Sequence, residues 1–171
     1  MIRKAERARP DRANLERIYA EFNRKELIHP DPLEFVYRYR SAPDREAAGF
    51  IAAALAYGNV AQILRSVDKV LSPMGPSPSA WLRERRAPDI AKRFLSFKHR
   101  FTSGAELSVF LLNIRNALLK HGSLEAFFAR HYRPEDDDLS GAIYSFVNEF
   151  NHLACAPTLT PCPEKKSSFK R

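Results

Sequence analysis

The sequence lacks the features that mark several classes of protein. No uninterrupted apolar run approaches the roughly 20 residues that a membrane-spanning helix needs. The first residues, MIRKAERARPDR, lack the apolar core of a secretory signal. We therefore expect a protein without a membrane segment, located in the cytoplasm.

Cysteine is scarce, and no metal-binding pattern is present. Cys155 and Cys162 lie so close together that a disulfide between them would close only a short loop. His152 adds another soft ligand, but the sequence has neither a CxxC pair nor the second pair that a structural zinc site uses. The acidic run 135–138 lacks the spacing of a calcium loop and is typical of a helix start. We expect a reducing compartment and no metal site.

Familiar catalytic motifs are also missing. The sequence has no phosphate-binding glycine-rich loop and no GxSxG, and its five histidines lie at unrelated positions. We expect no cofactor and no catalysis by this chain alone. An enzyme with an unfamiliar site is an open alternative, and it would require a polar cleft that brings together Asn59, His99 and a carboxylate such as Asp44.

Helical periodicity runs along most of the chain. Apolar residues recur at helical spacing in several segments, the longest of which are 12–24, 45–57, 60–71 and 104–122. No stretch alternates clearly enough to predict a strand. The sequence therefore predicts an all-α protein, a compact bundle of about seven or eight helices with a proline-rich extended C-terminal tail. We expect a basic N-terminal arm (1–11), a single helical domain (12–154) and an extended basic tail (155–171).

Three segments carry expectations about their surroundings. One face of helix 12–24 is apolar and should dock on another element through Leu15, Ile18, Tyr19 and Phe22. The last helix, opened by the acidic run, should bury Leu139, Ile143, Phe146, Val147 and Phe150. The segment 72–79, SPMGPSPS, should be a loop, because its prolines and glycine disfavour regular structure.

A tight corner joins the segments 45–57 and 60–71. The first, REAAGFIAAALAY, has small residues nearly all round, which is typical of a buried helix that its neighbours approach closely. Gly58 is placed to end it in a left-handed conformation, and Asn59 is placed to cap the next helix.

The formal net charge of +8 is distributed unevenly. Residues 1–25 carry eight Lys/Arg against four acids, 79–100 carry seven against two, and 164–171 carry four against one. The remaining segments, 26–78 and 101–163, carry −1 and −3. Basic zones on a slightly acidic body favour a polyanion such as DNA or RNA as partner, although many basic proteins bind none.

One basic segment, 92–100 (KRFLSFKHR), interleaves aromatic residues with cations. Aromatic rings can stack on bases while Lys and Arg contact phosphates, so we expect Lys92, Arg93, Lys98 and Arg100 to contact nucleic acid. A simpler interpretation, which we favour for the aromatic residues, assigns the apolar side chains of this region to the core, namely Phe94, Leu95, Phe97 and Phe101.

Four segments carry a resemblance to a known family. DPLEFVYRY (31–39), AALAYGNVAQILRSVDKVL (53–71), FKHRFTSGAEL (97–107) and HGSLEAFF (121–128) resemble, in this order, an uncharacterised bacterial family of conserved hypothetical proteins with a domain of unknown function. Members of this family continue past the point where this sequence stops. The resemblance therefore implies that the tail begins a missing C-terminal half.

The corner is also distantly similar to the helix-hairpin-helix DNA glycosylases, in which an apolar helix, a polar corner and an amphipathic helix approach an opened duplex. That similarity implies that Tyr57, Gly58, Asn59 and Gln62 lie near nucleic acid. Some such enzymes use a lysine amine beside an aspartate. Lys170 matches the lysine position, but the hairpin and the aspartate segment are absent. We expect a DNA-repair-glycosylase-like first half, without catalysis.

A different interpretation is a helical protein-protein interaction module. Its exposed face would bind a partner protein or the missing C-terminal half. A large apolar patch on the last helix and the tail would favour this interpretation, because monomers rarely leave such patches open.

Overall fold

The computed structural model describes residues 11–155, so most of the predicted arm and tail, including Cys162 and Lys170, lies outside the described residues. Within these residues the chain forms eight α-helices, four short 3-10 helices and one two-stranded hairpin. The predicted all-α class is confirmed. The α-helices are α1 (Arg12–Phe22), α2 (Ala42–Leu55), α3 (Val60–Leu71), α4 (Pro78–Glu84), α5 (Ala87–Arg93), α6 (Gly104–His121), α7 (Leu124–Ala129) and α8 (Ser140–His152). The 3-10 helices are Lys25–Leu27, Pro32–Arg38, Ser72–Met74 and Leu153–Cys155, and the strands are β1 (Lys98–His99) and β2 (Thr102–Ser103).

Helix α6 lies at the centre of the packing and contacts α4, α5, α7 and α8. A capping box starts it: Ser103 Oγ accepts from the Glu106 amide, and Glu106 Oε2 accepts from the Ser103 amide at 2.7 Å. These reciprocal bonds satisfy amides that an uncapped helix leaves without partners. The buried apolar residues of α6 are Leu107, Leu111, Ile114, Ala117 and Leu118.

Helix α2 packs against α3, α4 and the 3-10 helix Pro32–Arg38. Small residues on its inner face, Ala47, Ala48 and Ala52, are buried beside Ile51 and Leu55, whereas Ala53 and Ala54 are exposed, so the predicted burial holds for one side of the helix. The carboxylate of Asp44 fastens the start of α2 to the start of α4. It accepts hydrogen bonds from Ser77 Oγ at 2.8 Å, the Ser79 amide at 2.9 Å and Ser79 Oγ at 2.7 Å.

The segment 72–79 is more regular than the sequence suggests. Ser72–Met74 forms a 3-10 helix, and α4 begins at Pro78. Ser77 Oγ accepts from the Ala80 amide at 3.3 Å, and Pro78 takes the first helical position, where a missing N–H costs no intrahelical bond. The prediction of a loop is therefore wrong for both ends of this segment. Residues 72–74 form a 3-10 helix, and Pro78 starts α4.

Helix α8 begins after the acidic run, at Ser140, whose amide donates to Asp138 Oδ1 at 2.7 Å. Only two of the five side chains predicted to be buried lie at the core. Phe150 is buried and Phe146 packs against the core, whereas Leu139, Ile143 and Val147 are exposed. Within residues 11–155, α6 and α7 pack on one side of α8 and leave that other side uncovered.

Helix α1 forms close to where the sequence predicts it, but none of its residues is buried. Its apolar stripe of Leu15, Ile18, Tyr19 and Phe22 faces outward. Within residues 11–155 no element covers this stripe, so the predicted docking of α1 is not found there. No helix in that same range is both long enough and apolar enough to cross a bilayer.

Candidate nucleic-acid interface

A short hairpin that the sequence analysis missed lies beside the corner between α2 and α3. Strands β1 and β2 pair in antiparallel register, with Lys98 opposite Ser103 and His99 opposite Thr102. Arg100 and Phe101 form the turn between them. The sequence analysis predicted no strand, so this hairpin corrects it.

The hairpin is fastened to the corner through His99, which is fully buried. His99 Nδ1 lies 2.9 Å from Ser66 Oγ of α3, and Nε2 donates to the Tyr57 carbonyl oxygen at 3.2 Å. The Tyr57 hydroxyl in turn donates to the His99 carbonyl at 3.1 Å and is paired with Thr102 Oγ1 at 2.6 Å. Corner and hairpin therefore form one hydrogen-bonded unit.

Arg100 lies against the corner at Gly58. A Cβ built on Gly58 would meet Arg100 Cδ at 2.8 Å, and Gly58 itself has φ of 110°, which L side chains rarely adopt. Arg100 has φ of 49°, a left-handed conformation that is uncommon for a residue other than glycine or asparagine. The guanidinium of Arg100 therefore lies on the corner between α2 and α3.

Asn59 and Gln62 both lie in the first turn of α3. Asn59 Oδ1 accepts from the amides of Ala61 at 3.0 Å and Gln62 at 3.4 Å, which is the helix cap that the sequence predicted. The carbonyl of this side chain is therefore committed to the fold. The side chain of Gln62 is exposed.

Three cations converge on a shallow pocket of about 270 Å³ between α3, the end of α5 and β1. Arg93 and Lys98 were predicted from the sequence, and Lys69 was not. Lys69 lies three residues after Ser66, and Gln62 lies four residues before it. Residues at this spacing share one face of a helix, and Ser66 turns that face toward the hairpin.

We call this surface the basic edge and define it by its exposed polar and charged side chains. They are Gln62, Lys69, Arg93, Lys98 and Arg100. Within residues 11–155, none of the four cations has a carboxylate oxygen within 4.0 Å. The nearby Glu106 carboxylate accepts hydrogen bonds from Ser103. These bonds lower the pKa of Glu106, and the charge of Lys98 makes a smaller contribution in the same direction.

Lys92 lies on another side of α5 from the pocket of Lys69. It lines a second pocket with Arg85, Asp89 and Arg93. Only Arg93 is common to both pockets, so it links Lys92 on one side to Lys98 on the other.

The aromatic residues of this region divide into two sets. Phe94 is buried and Phe97 packs against the core, as the simpler interpretation expected. Leu95 and Phe101, by contrast, are 79% and 81% exposed, so that interpretation is wrong for them. The ring of Phe101 lies 5.5 Å from the guanidinium carbon of Arg100.

Within residues 11–155 the structure does not bring Asp44 together with His99. Asp44 lies at the start of α2, whereas His99 contacts Tyr57, just after its end. The helix spans 14 residues, and its ends are therefore about 20 Å apart at about 1.5 Å per residue. In the described part of the chain, no group of His, Cys, Asp and Glu is arranged to hold a metal ion.

A family model described as "Protein of unknown function (DUF2400)" matches residues 31–171. The chain belongs to the DUF2400 family. The corner, the hairpin and the basic edge all lie within the matched range of this DUF2400 chain. A search of curated proteins and a search of solved structures gave no match.

Proposed function

We propose that this DUF2400 chain binds nucleic acid through the basic edge, with the bacterial cytoplasm as its compartment. The observation that supports the proposal is the convergence of Lys69, Arg93 and Lys98 on one pocket without an acidic partner in residues 11–155. Cations that pair with no carboxylate are free to contact phosphates. Arg100 extends this surface to the corner, and Lys92 extends it along α5.

The test is a binding titration with DNA and RNA oligonucleotides at increasing salt. Each phosphate that a cation neutralises releases counterions, so log Kd should change by about 0.7–0.9 per contact for each decade of salt. Replacing Lys69, Arg93 and Lys98 together by Ala should lower that slope by about 2 and weaken binding.

A matched control removes the same charge elsewhere. Arg40, Arg45 and Arg133 are exposed, lie outside the basic edge and form no ion pair within residues 11–155. Their triple Ala variant should bind nearly as the unchanged chain does. Equal losses in the two variants would mean that net charge alone drives binding, and no binding at low salt would remove the proposal.

We further propose a role in DNA repair, because the corner is similar to the first half of helix-hairpin-helix glycosylases. Arg100 on Gly58 supports the part of that similarity that brings the corner to nucleic acid. We expect binding without base excision by this chain alone. Incubation with DNA carrying an abasic site or a damaged base should therefore leave the strand and its bases intact.

A second candidate function is a helical protein-protein interaction module, and it is favoured by the uncovered apolar side of α8. Leu139, Ile143, Tyr144 and Val147 are all exposed there. A surface of this kind fits a partner protein or a further helical half. Sedimentation of the unchanged chain and of an Ile143→Ser, Val147→Ser variant over a range of concentrations would detect self-association through this face.

A further inference from the structure

Phe101 is the most exposed large apolar side chain in residues 11–155. It lies at the tip of the hairpin, between Arg100 and Thr102. An exposed ring of this size loses the free energy that burial would provide. The ring is therefore available to contact a ligand.

The residues beside the tip are held firmly. On one side His99 is buried and bonded to Ser66 and Tyr57, and on the other Thr102 pairs with the Tyr57 hydroxyl. Phe101 therefore lies between two residues whose positions are fixed by hydrogen bonds. A ligand that contacts its ring does not have to restrict a flexible loop first. Preorganisation of this kind reduces the entropic cost of binding.

The charges around the ring specify the chemistry of that ligand. Arg100 lies next to the ring face, and Lys98 lies on the strand that leads to it. A ligand that satisfies both features carries an anionic group beside a flat aromatic one, as a nucleotide does. Intact duplex DNA offers phosphates but keeps its base faces inside the stack, whereas a single strand presents both.

From these observations we infer that Phe101 stacks on an unstacked base while the cations of the basic edge hold the neighbouring phosphates. The ligand is then single-stranded or locally opened nucleic acid, in preference to intact duplex. This inference rests on the proposed function and adds to it the kind of strand that is recognised.

The experiment compares the unchanged chain with Phe101→Ala on a single-stranded oligonucleotide and on a blunt duplex of equal length. Base stacking on an aromatic side chain makes the expected loss of single-strand affinity about 5- to 100-fold. Duplex affinity and the salt dependence on both ligands should stay nearly unchanged, since no cation is removed.

Two further variants complete the design. Leu95→Ala removes an equally exposed apolar side chain from the same region and should leave single-strand affinity unchanged. Phe101→Trp should retain affinity, and its indole fluorescence should be quenched by the single strand. The fluorescence of the unchanged chain, whose single tryptophan Trp81 packs against the core, gives the background.

Three other outcomes would overturn the inference. If Phe101→Ala binds the single strand as tightly as the unchanged chain, with the same steep salt dependence, the proposed function stands and the ring does not stack. If Phe101→Ala loses single-strand and duplex affinity equally, the ring does not discriminate between them. If no form of the chain binds at low salt, the proposed function fails as well, and the exposed ring is better explained by a protein partner.

Discussion

The guanidinium-bearing side chain of Arg100 lies directly over Gly58, so close that a Cβ on Gly58 would come within 2.8 Å of Arg100 Cδ. Both residues have a positive φ, 110° at Gly58 and 49° at Arg100. The corner and the hairpin therefore approach each other through two unusual backbone conformations. This contact brings the charge of Arg100 to the end of α2.

Gly58→Ala is expected to lower the free energy of unfolding by about 1–2 kcal/mol, because an L side chain disfavours a positive φ. Urea denaturation measures the effect. The double variant Gly58→Ala, Arg100→Ala separates the two causes: it removes the steric contact but keeps the backbone conformation. We expect it to recover little, since the flexible Arg100 side chain can move aside. Full recovery would mean that the contact, and not φ, is responsible.

Arg100→Gly is expected to keep the fold and weaken nucleic-acid binding. Glycine adopts the left-handed conformation without strain, so the free energy of unfolding should stay the same or rise by up to about 1 kcal/mol. Oligonucleotide affinity should fall, because a phosphate contact is lost. Thermal denaturation and a salt titration, run on the same samples, measure both effects. Lower stability together with lower affinity would show that Arg100 holds the hairpin in place.

Gly104→Ala is expected to destabilise the protein by more than about 2 kcal/mol, because the new Cβ would meet backbone atoms that cannot move aside. The Phe94 carbonyl oxygen would lie 2.0 Å from it. Gly141 in α8 provides the control, since a Cβ there would meet its nearest neighbour, Asp136 Oδ2, only at 3.7 Å. Gly141→Ala should be neutral or slightly stabilising in the same denaturation experiment.

Local signals explain which parts of the fold could be predicted. Asn59 caps α3 through amides two and three residues away, and Ser103 and Glu106, which are three residues apart, cap α6. Such interactions depend on a few consecutive residues and can be read from them. The helical stripe of α3 is equally local. The start of α3 could therefore be predicted well, whereas α2 ends at Leu55, with Ala56 as its C-cap, and not at Gly58 as predicted.

The hairpin could not be predicted in this way. Each of its strands has two residues, too few for alternation to appear, and its support comes from His99 contacts to Ser66 and Tyr57. Those partners lie 33 and 42 positions away in the sequence. The same limit applies to Phe101, whose exposure depends on the turn between the strands. Lys69 could have been found, since its spacing from Gln62 places both on one face of α3.

The apolar face of α8 illustrates a different limit. Its periodicity correctly predicts an amphipathic helix, but periodicity cannot say what covers the apolar side. Phe150 meets Phe110 of α6 at a ring distance of 5.7 Å, whereas Ile143 is 50% exposed within residues 11–155. The apolar periodicity of a helix identifies the face that favours burial. The arrangement of the other helices decides whether that face is buried.

Asp44→Ala is expected to cost about 2–4 kcal/mol of stability, because it leaves the buried Ser79 amide and hydroxyl without their acceptor. Burial raises the pKa of Asp44, but hydrogen bonds from Ser41, Ser79 and Ser77 outweigh it and leave the pKa below its usual value of 3.8. Stability that is present above pH 3.8 should therefore be lost as the pH falls below it.

Acid denaturation followed by circular dichroism would test this contribution, with Asp44→Asn as the variant. Asp44→Asn should unfold more readily at neutral pH and lose part of the acid dependence. The control Asp89→Asn removes only an exposed ion pair with Arg86 and should cost less than about 1 kcal/mol. Equal acid dependence in Asp44→Asn and the unchanged chain would contradict the assignment.

His121 is expected to make the protein less stable in mild acid. Burial makes the largest contribution and lowers the pKa of His121. The positive charges of Arg130 and Lys120, with a smaller effect of His131, lower this pKa further, whereas Glu149 raises it. The folded state therefore binds this proton less readily than the unfolded state does. Below the usual value of 6.5 the unfolded state takes up more protons, so stability should fall as the pH drops through this range.

Urea denaturation at a series of pH values between neutrality and mild acid measures this dependence, and His121→Gln should flatten it. The ring stacks on Phe127 at 4.7 Å, so the variant also loses packing and should be less stable at every pH. The slope with pH, rather than the absolute stability, is therefore the informative quantity. If His121→Gln keeps the slope of the unchanged chain, another group is responsible for the acid sensitivity.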